Sequence, residues 1–289
     1  MHQEQYSVNA FSLLQIAALC LFFATYSGYS VDAPVYQEYL EYYFEYPIVE
    51  SFFLWKQFLF FGPATALAKV LPAPWPVKIM SVAGCLVFSF SLFRLFRRDR
   101  DGILLLVLGF ALISPGVLYL FGNGIRQGLA CSTVLLGASY LLTRHWIRSS
   151  ALIAIGIGLH ISSGTMFAFS LVASVVNKRL LAIGLLISPL AGYLLFLIYG
   201  LDGPAGVHMN YEENLEGSFH ILRLAAAQLI AWIVIFHLSD SGRSHMDYLL
   251  RIYIGTVIVA SFFVVWETPA SRLLLQSDLL LPVVGAFLL

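Results

Sequence analysis

The sequence predicts an all-α fold, a polytopic bundle of about nine or ten transmembrane helices that includes one short pair. Three observations predict it. Of the 289 residues, 60% are hydrophobic and 11% charged, about half the charged fraction of an ordinary soluble domain. Mean hydropathy is +0.84. Apolar runs near the length of a bilayer crossing recur from one end to the other, and helices satisfy their own backbone in lipid. The chain reads as one integral membrane domain, 1–289, with no internal repeat.

Composition excludes several functions. Net charge is zero and no basic stretch alternates with aromatics, so nucleic acid is not an expected partner. Cys20, Cys85 and Cys131 lie in apolar runs at spacings that fit neither a zinc site nor a disulfide framework. They read as buried, inert thiols, and no metal is expected. There is no nucleotide-binding loop and no Ser-His-Asp order, so no cofactor is expected either. Energy must come from an activated substrate or a gradient.

The first element is an apolar helix over 10–26. The N-terminus "MHQEQYSVNA" lacks a basic n-region and no small-residue cleavage site follows, so this helix reads as retained. Next comes "VDAPVYQEYLEYYFEYPIVE" (31–50), with five carboxylates and no Lys or Arg. It should face outside, whereas "RLFRRDR" (94–100) should be cytoplasmic. Two full crossings between them would return the chain to the wrong side. The segment 51–71 is therefore read as interfacial or dipping in and returning, because it carries Lys56, Gln57 and Lys69 and is broken at Gly62-Pro63. The first outer loop spans 27–76, and its tyrosines suit the headgroup layer.

Residues 77–94 then run inward and 103–121 outward, delivering "GNGIRQ" to the outer side. Residues 127–143 return to the basic "TRHWIR" (143–148). The next basic pair is Lys178-Arg179, and the interval 149–177 holds about thirty residues where two full spans need about forty. Two short helices meeting at "HISSG" (160–164) fit, with His160 partway down in the membrane. Irregular backbone at that depth must be buried in protein or line a wet cavity. The expected result is a recess open to the outside, with His160 near its floor. Residues 180–200 run outward to a second acidic loop, 201–220, and 221–238 return. Residues 248–266 exit again, and 273–289 begin a last helix.

Topology sorts the polar residues. Arg126, Arg223 and Arg272 stand on the side where the positive-inside bias does not explain them. An arginine at membrane depth wants an anion. For Arg126 two readings stand. It pairs with Asp32 or Glu267 to fix helix packing, or it clamps a phosphate or diphosphate. In the second reading Gly122 and Gly124 let the backbone approach a ligand, and Arg126, Gln127 and the first amides of the following helix converge on one anion, with Asn123 a further substrate-binding candidate. His160 is either a satisfied core histidine or a functional one, serving as general base or as donor to a phosphate oxygen. Asp32 is a solvated loop carboxylate or an activator of a sugar hydroxyl, with Tyr36 beside it. Ser163 joins the substrate-binding candidates through its place in the turn. Glu38, Glu41 and Glu45 read as a solvated face. Glu267 and Arg272 flank a helix end and either pair or join the site.

The elements "DAPVY" (32–36), "NGIRQGLA" (123–130) and "HISSG" (160–164) together resemble the EpsG family, Wzy-like membrane enzymes of bacterial exopolysaccharide and O-antigen assembly. The resemblance implies a GT-C-type glycosyltransferase, a polysaccharide polymerase. It would join polyprenyl-diphosphate-linked oligosaccharides, such as those on undecaprenyl diphosphate, on the outer face of the cytoplasmic (inner) membrane. It places Asp32, Arg126, Gln127 and His160 in the active cavity and suggests Arg272 as a late arginine near it. Membrane lipids, chain-length regulators and flippases are the implied partners. A transporter or flippase of lipid-linked glycans is the alternative, and a membrane acyltransferase a third class. The latter would normally pair its intramembrane histidine with a carboxylate, and His160 has none within a turn.

Overall fold

The structure is a computed structural model in which residues 2–26, 33–44, 58–96, 102–160, 162–173, 175–199, 217–239, 244–265 and 267–289 are described. Every regular element among them is a helix. By contact the chain divides into two compact units, Met1–Phe167 and Ala168–Leu289. Asp32, most of the first acidic segment beyond residue 44 and the loop 201–216 lie outside the described residues.

The first unit holds α1 (His2–Tyr26), α2 (Ala33–Phe44), α3 (Phe58–Ala68), α4 (Trp75–Phe96), α5 (Ile103–Ile113), α6 (Pro115–Gly122), α7 (Ile125–Leu142) and α8 (Trp146–Leu159). It ends in the start of α9 (Ser163–Val172). Two expectations are corrected here. The run 103–121 is not one helix: α5 and α6 meet at Ser114 with a 66° bend. Pro115 lacks the amide that would continue α5, and the Ser114 hydroxyl accepts from the Val117 amide at 3.5 Å, so the chain restarts as a capped helix. The opposite happens at Gly62-Pro63, where a break was expected. Helix α3 runs through Pro63, whose ring is exposed, while Phe60, Phe61 and Ala64 pack into the core. One lost backbone bond is offset there by apolar burial.

Helices α4, α7 and α8 form the centre of this unit. The α7/α8 pair is antiparallel and close. The Ser149 hydroxyl donates to the Gly137 carbonyl at 2.9 Å. At Gly156 an added Cβ would stand 3.0 Å from the Ala130 carbonyl oxygen, so only hydrogen fits there. At one end of the trio, Arg94 donates from Nη2 to Thr143 Oγ1 at 2.9 Å and lies 3.7 Å above the Tyr140 ring. The Arg148 guanidinium is 5.9 Å from the same ring. The basic groups that the sequence assigned to the cytoplasm thus gather at one end of one bundle. Cys20 is half-buried rather than buried, while Cys85 and Cys131 are buried.

The second unit contains the rest of α9, then α10 (Lys178–Tyr199), α11 (Gly217–His237), α12 (His245–Phe262), α13 (Glu267–Asp278) and α14 (Leu281–Leu288). Helix α12 is its core, with Tyr248, Tyr253 and Arg251 all buried. Arg251 donates to the carbonyls of Val176 and Ser239, which replaces the hydration its guanidinium gives up. The last stretch is again not one helix. Helices α13 and α14 meet at a 50° bend, with Pro282 in the first turn of α14.

By length and apolarity α4 and α10 each qualify as membrane spans, and the bent pairs α5–α6 and α13–α14 raise that number to four. Several other apolar helices are shorter, among them α8 and α9. Among the described residues, any count of nine or ten membrane helices therefore relies on bent and short ones.

Candidate functional site

The site begins at the turn between α6 and α7. Helix α6 ends with the Asn123 and Gly124 amides both donating to the Tyr119 carbonyl, at 2.7 and 3.0 Å. The Ser81 hydroxyl of α4 donates to the Phe121 carbonyl at 2.5 Å. These bonds satisfy the carbonyls that the break would otherwise orphan. The first α-helical bond of α7 runs from the Gly128 amide to the Gly124 carbonyl at 2.8 Å. Arg126 and Gln127 thus occupy the first turn, the positive end of the helix dipole. Gly128 lets α7 turn back on α6, since a Cβ there would lie 2.7 Å from the Leu120 carbonyl oxygen.

Arg126 is half-buried, with its guanidinium carbon 5.5 Å from the Phe61 ring of α3. Asn123 and Gln127 are buried. The Asn123 Oδ1 atom is buried with no hydrogen-bond partner among the described residues. Phe61 was not singled out in the sequence; its only signal was an aromatic beside Gly62-Pro63.

Helix α8 delivers His160. Its amide still donates to the Gly156 carbonyl at 3.1 Å, while its φ of −158° and ψ of 116° take the backbone out of the helix. The expected meeting of two short helices at "HISSG" is what the structure has, with α8 ending at Leu159 and α9 starting at Ser163. His160 is 5% exposed and Ser163 fully buried. The imidazole Nδ1 accepts from the Ser162 amide at 3.3 Å and lies 2.7 Å from the Ser162 hydroxyl. The Ser163 amide donates to the His160 carbonyl at 3.0 Å, and Ser163 Oγ is buried without a partner among the described residues.

The α7/α8 register relates the two sites. Ser149 meets Gly137, and Gly156 meets Ala130. Continued by one helical turn, the same antiparallel register sets His160 level with Arg126. Both stand about 25 Å along α7 from Thr143 and the arginines at Tyr140. One apolar cluster underlies them: Ile125 beside Arg126, Leu159 beside His160, and Phe60, Phe61 and Leu40, with Tyr36 packed against it. The structure therefore brings together the elements bearing Tyr36, Asn123, Arg126, Gln127, His160 and Ser163. Asp32 falls outside the described residues, one position before α2.

Arg223, Glu267 and Arg272 belong to the second unit. Arg223 has a carboxylate that sequence reasoning missed: its Nη2 donates to Asp278 Oδ2 at 2.7 Å, with the side chains 31% and 17% exposed. That contact ties α11 to the end of α13, where the chain bends. Glu267 opens α13 and its side chain is not among those described; Arg272 is exposed on the same helix.

Against known proteins, a family model described as the EpsG family matches residues 9–277, nearly the whole chain. No curated protein and no solved structure matches it.

Proposed function

The chain belongs to the EpsG family, a Wzy-like polymerase family, and from that premise we propose that it polymerises polyprenyl-diphosphate-linked oligosaccharides on the outer face of the cytoplasmic membrane, as a GT-C-type glycosyltransferase. One observation carries the reading. An arginine at a helix N-terminus stands level with a buried histidine, at the end of the bundle opposite the cytoplasmic-type arginines on Tyr140. A cation placed against the orientation bias, beside the amides of a helix start, suits an extracytoplasmic diphosphate.

In the reaction a hydroxyl oxygen of the acceptor sugar bonds to the anomeric carbon of the donor. The bond from that carbon to the phosphate oxygen breaks, and polyprenyl diphosphate leaves with the electron pair. Arg126, with Gln127 and the amides of the first α7 turn, neutralises the charge that grows on the leaving oxygen. The hydroxyl proton passes to a base, for which His160 and Asp32 are the candidates. Buried Asn123 Oδ1 and Ser163 Oγ supply further acceptor and donor groups for sugar or phosphate. Tyr36, half-buried and packed beside Phe60, offers a stacking surface for a sugar ring. Chain-length regulators and flippases are the partners such a polymerase works with.

The test is direct. Purified protein is incubated with cell-derived lipid-diphosphate-linked oligosaccharide and the products are sized. Longer glycans with release of polyprenyl diphosphate are expected, and Arg126→Ala should slow turnover by roughly 100- to 1,000-fold. Binding of the lipid without any new glycosidic bond would make the protein a carrier instead.

A further inference from the structure

The turn at 160–163 chooses between the two roles open to His160. A neutral imidazole has one nitrogen that donates and one that accepts. The Ser162 hydroxyl, 2.7 Å from Nδ1, can do either. The Ser162 backbone amide cannot. It is a donor in every state of the protein, and it points at Nδ1 from 3.3 Å. A proton on Nδ1 would face the amide proton head-on. Nδ1 is therefore the acceptor, the serine hydroxyl donates to it, and the ring proton resides on Nε2. The imidazole here does for the start of α9 what an Asx side chain does for a turn, accepting from the amide two residues on. Burial of His160 keeps water from substituting for these bonds.

We propose that Ser162 is a positioning residue that holds His160 in the Nε2–H tautomer. His160 then serves the polymerase reaction as a hydrogen-bond donor to a phosphate oxygen of the lipid diphosphate, and the acceptor hydroxyl's proton goes to another base. This rests on the function proposed above, and it narrows that mechanism. With Nε2 already protonated and Nδ1 occupied by Ser162, the ring has no lone pair to offer a sugar hydroxyl. A donor level with Arg126 adds a second charge-directed contact to the leaving group, in the manner of an oxyanion hole. The remaining candidate for the base is Asp32.

Two measurements test it. Ring-15N-histidine protein in detergent is observed by NMR, and the His160 signals are identified as those lost in His160→Gln. The expected pattern is a neutral ring protonated at Nε2, and Ser162→Ala, which keeps the backbone amide and loses only the hydroxyl contact, should retain that tautomer with the ring less firmly held. A ring protonated at Nδ1 in the wild type overturns the proposal, whether or not the protein polymerises anything. The second measurement is turnover. The glutamine amide presents an N–H near the Nε2 position but cannot act as a base. His160→Gln should therefore keep at least about a tenth of wild-type kcat, while His160→Ala loses about a hundredfold or more. Ser162→Ala should lower kcat several-fold with KM little changed, and Ser162→Thr should restore it. Glutamine as inactive as alanine, in a protein whose wild type polymerises, refutes the donor role. A wild type that makes no glycosidic bond refutes the polymerase reading alone, and the tautomer is still decided by the spectrum.

Discussion

Replacing Gly156 with alanine should damage activity more than stability, and the structure sets both sizes. An ideal Cβ at 156 would lie 2.6 Å from Val134 Cγ2 and 3.0 Å from the Ala130 carbonyl oxygen. Favourable contacts begin near ~3.5 Å. The valine methyl can turn away, but the carbonyl belongs to the α7 backbone, so the helices must part by about half an ångström. Overpacking of this kind costs about 1–3 kcal/mol. Exchanging glycine for alanine inside a helix returns about 1 kcal/mol. The net is roughly 0–2 kcal/mol, a fall of a few degrees in thermal midpoint. The same displacement acts on the alignment of Arg126 with His160, one turn away, and misplacement of about 1 Å can cost a hundredfold in rate. Gly137→Ala is the matched control. Its Cβ would meet Ile153 Cγ1 at 2.7 Å and the Ser149 carbonyl oxygen at 3.2 Å, but at the far end of the seam. Polymerisation rate and thermal midpoint are measured for both. Gly156→Ala should lose about tenfold or more in turnover and Gly137→Ala no more than about threefold, at similar midpoints. Equal losses in the two variants would show that activity merely follows stability, and the register argument would fail.

The pair Arg223 and Asp278 invites a double-mutant cycle: each alanine variant should be destabilised, and the coupling energy should be about 1–3 kcal/mol, between exposed and buried ion pairs. A coupling near zero would mean that the 2.7 Å contact contributes nothing to the packing of α11 on α13. Orientation can be read by cysteine labelling. In intact cells an impermeant maleimide should reach Arg126→Cys and spare Arg148→Cys; the reverse pattern would remove the extracytoplasmic site altogether.

Much of the site was legible because membrane length is a hard constraint. The interval 149–177 cannot hold two full helices, so the break at His160 followed from arithmetic, and charge parity carried Arg126 to the far end of α7. The bends were harder. Ser114-Pro115 bears a helix-start signature, yet the apolar run across it matches one crossing in length, and the length masked the proline. Gly62-Pro63 misled in the other direction, because a proline costs a helix one hydrogen bond and Phe60 and Phe61 recover that through burial. The partner of Arg223 was not legible at all. Asp278 stands 55 residues away, inside a run that reads as plain membrane sequence, and nothing local announces a long-range ion pair. The tautomer of His160 belongs to the same class, since it depends on the direction of one amide that only three-dimensional structure fixes.

The close approach of α7 and α8 also limits how a greasy substrate can travel. A seam that has no room for a methyl group at Gly156 is closed to an isoprenoid tail. Under the proposed function, a lipid-borne sugar would have to approach Arg126 over another flank of the first unit, with the α7/α8 seam as a wall.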